Sequence, residues 1–263
     1  MSSTIAFIQA RMSSSRFPGK VLEPILGVPS ILYMTRRARV ARRLDNVVVV
    51  TSIDTSDDPL VTMLVEAGVP VYRGDLHDVL KRYVGAANEY AADEVVRLTG
   101  DCPLIDPSII DAVIDARRAG EADYASNIDP PTFPDGLDCE CFTRAALERA
   151  NAEATTDSER EHVTLWMRSA AARLRRASYS GLVDASRLRL TVDYPDDLAA
   201  VRRLVGLMPS PEFDFYDLLR VLVTNPDIIA LNPHARNEKI AKPVGLTGQA
   251  IQEYSLYSYG DKP

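Results

Sequence analysis

Three cations cluster directly after an apolar strand, in Gln9-Ala10-Arg11-Met12-Ser13-Ser14-Ser15-Arg16-Phe17-Pro18-Gly19-Lys20. Arg11 and Arg16 can each offer a planar fork of N–H donors, and Lys20 brings a point charge just past a glycine. The small residues between them let backbone amides approach an anion closely. That combination suits a polyphosphate. The preceding Ile5-Ala6-Phe7-Ile8 places the loop at a strand end, where open α/β sheets hold their ligands. The segment matches neither G-x-x-x-x-G-K-S/T nor G-x-G-x-x-G, which argues against a P-loop nucleoside triphosphatase and an ordinary dinucleotide fold.

Two carboxylates offer the complementary chemistry. Asp101 follows Val95-Val96-Arg97-Leu98-Thr99 through Gly100, and Asp193 ends Leu188-Arg189-Leu190-Thr191-Val192. Each stands two residues before a proline, in Asp101-Cys102-Pro103 and Asp193-Tyr194-Pro195. Two hard oxygen ligands held this way suit Mg²⁺, which takes few protein carboxylates and fills its shell with water and substrate phosphates. The other use of the same two residues is to cap the segments that follow them.

Such groups need a rigid frame, and the hydrophobic pattern predicts one. Strands are expected at Val47–Thr51, Val69–Tyr72 and Glu94–Thr99, with helices at Lys20–Val40 (interrupted near Gly27 and Pro29), Pro59–Ala67, Asp78–Ala92 and Pro107–Ala119. This alternation predicts an α/β fold with a mostly parallel sheet flanked by helices. After about Ala122 the texture changes. Strands Tyr124–Asn127 and Gly136–Phe142 surround a proline-rich turn, helices are expected at Thr143–Ala152 and Ser158–Ala172, and Leu188–Val192 is expected to return to the main sheet. Helices at Pro195–Leu207 and Phe213–Thr224 close the fold. The expected organisation is one domain over 1–231 with a small inserted β/α lobe near 123–185, and a polar arm or tail over 232–263.

The 263 residues carry a net charge of −7 and a pI near 5.1, a balance that speaks against a nucleic-acid partner. The basic group Arg36, Arg37, Arg39, Arg42 and Arg43 lacks interleaved aromatics and is expected on a solvated helix face. No apolar run approaches the ~20 residues of a membrane span, and the start lacks a leader pattern, so a cytoplasmic protein is expected. Cys102, Cys139 and Cys141 have no zinc spacing and are expected to be reduced and buried.

The segment Gln9 to Lys20 resembles the phosphate loop of the sugar cytidylyltransferases, and most of all the branch of spore coat polysaccharide biosynthesis protein F. These are relatives of the enzymes that make CMP-Kdo and CMP-neuraminate. Leu98-Thr99-Gly100-Asp101-Cys102-Pro103-Leu104 and Leu190-Thr191-Val192-Asp193-Tyr194-Pro195 are similar to the two segments carrying the metal-binding acids there, and the likeness covers most of residues 4–225.

The resemblance implies a Rossmann-like sheet of the nucleotide-diphospho-sugar transferase type and transfer of CMP from CTP to a sugar, sugar-phosphate or phosphonate acceptor. Mg²⁺ would be the cofactor, in one or two ions on Asp101 and Asp193, and Arg11 and Lys20 would join them in catalysis. Ala10, Arg11, Ser13, Arg16, Lys20, Arg73, Thr99 and Gly100 would bind nucleotide. Asn127, Asp138 and Glu140 would face the acceptor, and Glu161 and His162 would lie at the acceptor site or at the interface of a homodimer. The acceptor-side segments are rich in Asp and Glu, which argues against an acidic 2-keto sugar. Thr99 stands where the Kdo branch has Gln, which leaves guanine open as the base. The rival readings are a GT-A-type glycosyltransferase, whose Asp-x-Asp pattern Asp101-Cys102-Pro103 breaks, and a non-catalytic nucleotide- or sugar-binding protein.

Overall fold

The computed structural model describes residues 2–231. The first strand, β1 (Thr4–Gln9), is followed by a 3₁₀ turn over Lys20–Leu22, a small hairpin of β2 (Pro24–Ile25) and β3 (Val28–Pro29), and α1 (Ser30–Ala38). Then come β4 (Asn46–Ser52), α2 (Asp58–Glu66), β5 (Val71–Gly74), α3 (Val79–Glu89), β6 (Glu94–Thr99) and α4 (Pro107–Ala119). β7 (Tyr124–Ser126), β8 (Glu140–Thr143), α5 (Arg144–Glu153), α6 (Asp157–Glu161), α7 (Leu165–Arg168) and β9 (Arg176–Ser178) follow. The described chain closes with α8 (Pro195–Gly206), α9 (Phe215–Thr224) and α10 (Asp227–Ala230).

Seven strands form one sheet in the order β5-β4-β1-β6-β8-β7-β9. β5, β4, β1 and β6 run parallel, β8 is antiparallel to both of its neighbours, and β9 pairs parallel with β7. Both faces are covered, as parallel strands require. Alternation along β1 sends Ala6 and Ile8 into one core with α1, α2, α4, α8 and α9, and sends Ile5 and Phe7 into a second core with α3, α5 and α7. The α/β, mostly parallel sheet expected from the sequence is therefore present. Residues 123–185 supply β7, β8 and β9 to that same sheet. The tail predicted over 232–263 lies outside the described residues. No helix among the described residues is long and apolar enough to cross a membrane.

Three local expectations are corrected. Within 20–40 the interruption expected near Gly27 and Pro29 is present, but it is a whole hairpin: Leu26 (φ 47°) and Gly27 (φ 79°) form a turn with both centres in the left-handed region, and the α-helix covers only Ser30–Ala38. The expected helix over Ser158–Ala172 breaks into α6 and α7 at Val163, which has φ 47°. Leu188–Val192 does not join the sheet as a strand; its one ladder contact is an isolated bridge between Arg189 and Asp135. The segment instead crosses strand ends, where the Val192 amide donates to the Asp101 carbonyl at 2.8 Å. The sheet edge is taken by β9, whose Arg176-Ala177-Ser178 carries no strand-like hydrophobic pattern.

Gly136 permits that crossing. It has φ +111°, and a Cβ there would stand 2.6 Å from the Leu190 carbonyl carbon and 2.7 Å from the Thr191 nitrogen. Gly136→Ala should therefore cost about 2–4 kcal/mol of stability in urea unfolding, from left-handed strain plus backbone overlap. A value within about 0.5 kcal/mol of the parent, the range of neutral surface substitutions, would show that the crossing can shift freely.

Candidate active site

The phosphate-type loop is held by the ends of the central strands. At its start the Ala10 amide donates to the Val50 carbonyl at 3.2 Å, and at its close the Gly19 amide donates to the Met12 carbonyl at 3.0 Å. Gly19 takes φ 75° to turn the chain into Lys20. Gly100 donates to the Gln9 carbonyl at 2.8 Å, and a Cβ on it would lie 3.0 Å from that oxygen and from Ala10 Cβ. Small residues at 10 and 100 thus let the exits of β1 and β6 close on one another, which brings Asp101 beside the loop.

A carboxylate that the sequence reading missed fixes the loop from below. Asp57, fully buried, accepts the Met12 amide on Oδ1 at 2.7 Å, and accepts Thr51 Oγ1, the Ser52 amide and Ser52 Oγ on Oδ2. Burial pushes its carboxyl pKa up, but these donors outweigh burial and hold it below the usual carboxylate range.

Lys20 is the centre of the site. Its Nζ donates to the Val192 carbonyl at 2.7 Å and to Asp193 Oδ1 at 2.8 Å, and lies 3.8 Å from Asp101 Oδ2. Arg16 Nη2 meets the same Asp193 Oδ1 at 2.7 Å, with its guanidinium 5.3 Å from the Tyr194 ring centroid. Burial raises the Asp193 carboxyl, while Lys20 and Arg16 more than offset it and leave the pKa low. Two acids separated widely in sequence therefore converge on the Lys20 ammonium.

Around them lies a cleft of about 370 Å³. It is lined by Ala10, Arg11, Arg16, Lys20, Thr99, Gly100, Asp101 and Asp193 from the expected set, with the exposed Glu161 and His162 at the α6 end. Gln9, Ser14, Ser15, Val79 and Arg82 also contribute. Gln9 Oε1 is buried with no hydrogen-bond partner among the described residues. Arg82 is 2% exposed and spends its guanidinium on the Asp75 and Leu76 carbonyls. Burial lowers its pKa from the ordinary arginine value. Its signal was a cation on the apolar stripe Val79, Tyr83, Ala86 of α3.

Other expected residues lie elsewhere. Ser13 is exposed on the loop away from the cleft lining, where Ser14 and Ser15 take its place. Arg73 is corrected: it binds the Ser52 and Asp54 carbonyls and pairs with Asp58 at 2.8 Å, so it braces the β4 and β5 exits. Asn127 is buried and bridges backbone, donating to the Leu137 carbonyl and accepting the Cys139 amide, both at 2.8 Å. Glu140 was expected on an acceptor-facing surface with Asp138. It is instead buried, paired with Arg97 and accepting the Tyr124 hydroxyl at 2.6 Å. Strand alternation gave its face correctly, but α-helical cover on that side makes the face interior. Asp138 is partly exposed and lies close enough to the buried Cys102 to help raise that thiol's pKa, after burial and Asp101.

The depressed Asp57 pKa sets a pH dependence. A carboxyl whose folded pKa is below its unfolded value contributes stability above the unfolded value, about 4, and loses it as pH falls through the folded one. Urea unfolding of the parent should thus weaken between about pH 4 and 2 more steeply than that of Asp57→Asn; equal slopes would remove Asp57 from this role.

A cytidylyltransferase family model matches residues 5–224. Spore coat polysaccharide biosynthesis protein SpsF of Bacillus subtilis is 31% identical over 236 residues, covering 86% of this chain and 97% of that protein. A 3-deoxy-manno-octulosonate cytidylyltransferase of Anaeromyxobacter is 32% identical over 180 residues, covering 62% of this chain and 72% of the relative. Among solved structures, a cytidylyltransferase from Leptospira borgpetersenii superposes with TM-score 0.84 at 33% identity, covering 90% of this chain and 100% of the other. A CMP:2-keto-3-deoxy-manno-octonic acid synthetase complexed with CTP shares the fold at TM-score 0.59 and 19% identity, over 78% of this chain and 99% of that one. The glycosyltransferase and non-catalytic readings give way to these matches, and with a site built from loop cations and paired acids, the chain belongs to the cytidylyltransferase family of enzymes.

Proposed function

We propose that this enzyme transfers CMP from CTP to a sugar-type acceptor, releasing pyrophosphate, in the making of a polysaccharide precursor. The observation that carries the reading is the Lys20 ammonium lying between Asp101 and Asp193 at the mouth of the loop from Arg11 to Lys20. Among the relatives, several are named as cytidylyltransferases of 3-deoxy-manno-octulosonate or of its 8-amino-3,8-dideoxy analogue, and one is named for spore coat polysaccharide biosynthesis.

Asp101 and Asp193 would hold Mg²⁺. Two hard carboxylates brought to one cation suit that ion, which takes few protein ligands and completes its shell with water and substrate phosphates. When bound, Mg²⁺ supplies charge neutralisation at the phosphates and acidifies a coordinated hydroxyl. The protein's own part is positioning and countercharge. The loop amides and Arg11, Arg16 and Lys20 hold the β- and γ-phosphates; the acceptor oxygen attacks the α-phosphorus in line; the bond to the β-phosphate oxygen breaks, and the cations stabilise the departing pyrophosphate. Arg16 and Lys20 exchange Asp193 for phosphate oxygens in the process. With Glu140 committed to Arg97, the acidity of the acceptor side reduces to Asp138 and Glu161, and the case against an acidic sugar weakens accordingly. Assembly as a homodimer and action in the cytoplasm belong to the same reading.

Thermal unfolding with CTP, GTP, UTP and ATP, each with and without Mg²⁺, tests the donor. CTP with Mg²⁺ should stabilise by about 2.7 kcal/mol at ~100 times its dissociation constant. A shift with GTP alone would reassign the base. Lys20→Ala and Asp101→Ala should each lower pyrophosphate release by ~10²–10³ with the fold intact; turnover like the parent's in either would sink the mechanism. Light scattering that gives a monomer mass would remove the dimer.

A further inference from the structure

Asp193 presents its two oxygens to different surroundings. Oδ1 meets Lys20 and Arg16 at the cleft. Oδ2 accepts from Arg189 Nη2 at 3.1 Å. The same Nη2 reaches Asp197 Oδ2 at 2.9 Å, and Nη1 stands 3.6 Å from Asp135 Oδ2. Asp197, in the first turn of α8 and 0% exposed, also accepts the Asp193 and Tyr194 amides on Oδ2, at 2.7 and 2.9 Å. A helix cap alone would explain the two amide contacts. It does not explain a buried guanidinium spanning three carboxylates, one of them at the cleft.

We propose that Arg189, seated on Asp197, is a positioning residue that reserves Asp193 Oδ1 for the cleft and binds this acid to the acceptor-side turn. Asp197 fixes the backbone of Asp193, and Arg189 fixes the rotation of its carboxylate. Through Asp135 the guanidinium reaches Pro134–Leu137, a turn already tied to the crossing segment by Asp135 N to Leu188 O at 2.9 Å and Leu190 N to Asp135 O at 2.6 Å. Without Arg189, Asp193 and Asp197 would face each other as like charges, and Asp193 would turn from its position. The proposal rests on the reading of Asp193 as a metal ligand and assigns the groups that aim it.

The test titrates Mn²⁺ into the full chain with CTP, following free Mn²⁺ by electron paramagnetic resonance, for the parent, Arg189→Met and Arg189→Lys. Arg189→Met should weaken Mn²⁺ retention ~10- to 100-fold, the usual effect of losing a group that orients a ligand. Its lost kcat should return as Mn²⁺ is raised, with KM for CTP at saturating Mn²⁺ near the parent's. Arg189→Lys keeps the charge but not the fork, should recover part of the affinity, and carries the measurement if the methionine variant does not fold. Mn²⁺ affinity unchanged or tighter in a folded variant overturns the proposal. A parent that retains no Mn²⁺ with CTP overturns the metal reading itself, and this inference with it.

Discussion

Everything in the site follows from the need to keep two carboxylates close together in a partly buried place. Like charges cannot share such a position without countercharge. Lys20 and Arg16 supply it from the loop, and Arg189 supplies it from behind. Lys20 and Arg16 thus face Asp193 Oδ1 directly, and Arg189 meets its other oxygen. The geometry of β1, β6 and the crossing segment brings these groups together.

Much of this was legible in the chain. An apolar strand, a run of small residues and three cations gave the loop, and apolar runs leading to acids before proline gave Asp101 and Asp193, although only the first of those runs is a strand. Local chemistry fixed these features, so local reading found them. The misses share a different cause. Glu140 and Asp138 have a strand's spacing, but β8 begins only at Glu140, and which face is wet depends on the helices that cover it: α5 and α7 close off the side to which Glu140 points. Arg73 could have met several carboxylates, and the register of β4 on β5 chose Asp58. Asp57 looked like a turn residue; its contact with Met12 spans 45 residues and has no local sign. Leu188–Val192 has a strand's pattern, but Gly136 gives it a crossing path that no periodicity encodes.

β6 also carries charge into both cores. Glu94 at its start joins Thr4, Arg117 and Arg118, and Arg97 on the opposite face joins Glu140. Burial raises the Glu94 pKa, and these donors bring it below the usual carboxylate range. Buried pairs of this kind add little net stability over apolar packing, but a mismatched register would strand a charge in the interior. They pin β1 and β8 against β6 at the register that sets Gly100 beside Ala10.

Lys20 finds its partners 172 and 173 residues further along the chain. During synthesis the parallel strands β1, β4, β5 and β6 are all made while the loop's cations still lack Asp193, and the acid arrives only after the sheet's last strand. The residues of α8 and α9 that complete the first core, among them Leu198, Leu204, Phe215 and Leu218, are made later still, so this core and the Lys20 contact both wait for the last third of the chain. That long contact therefore joins the first loop of the chain to the segment that leads into its closing helices.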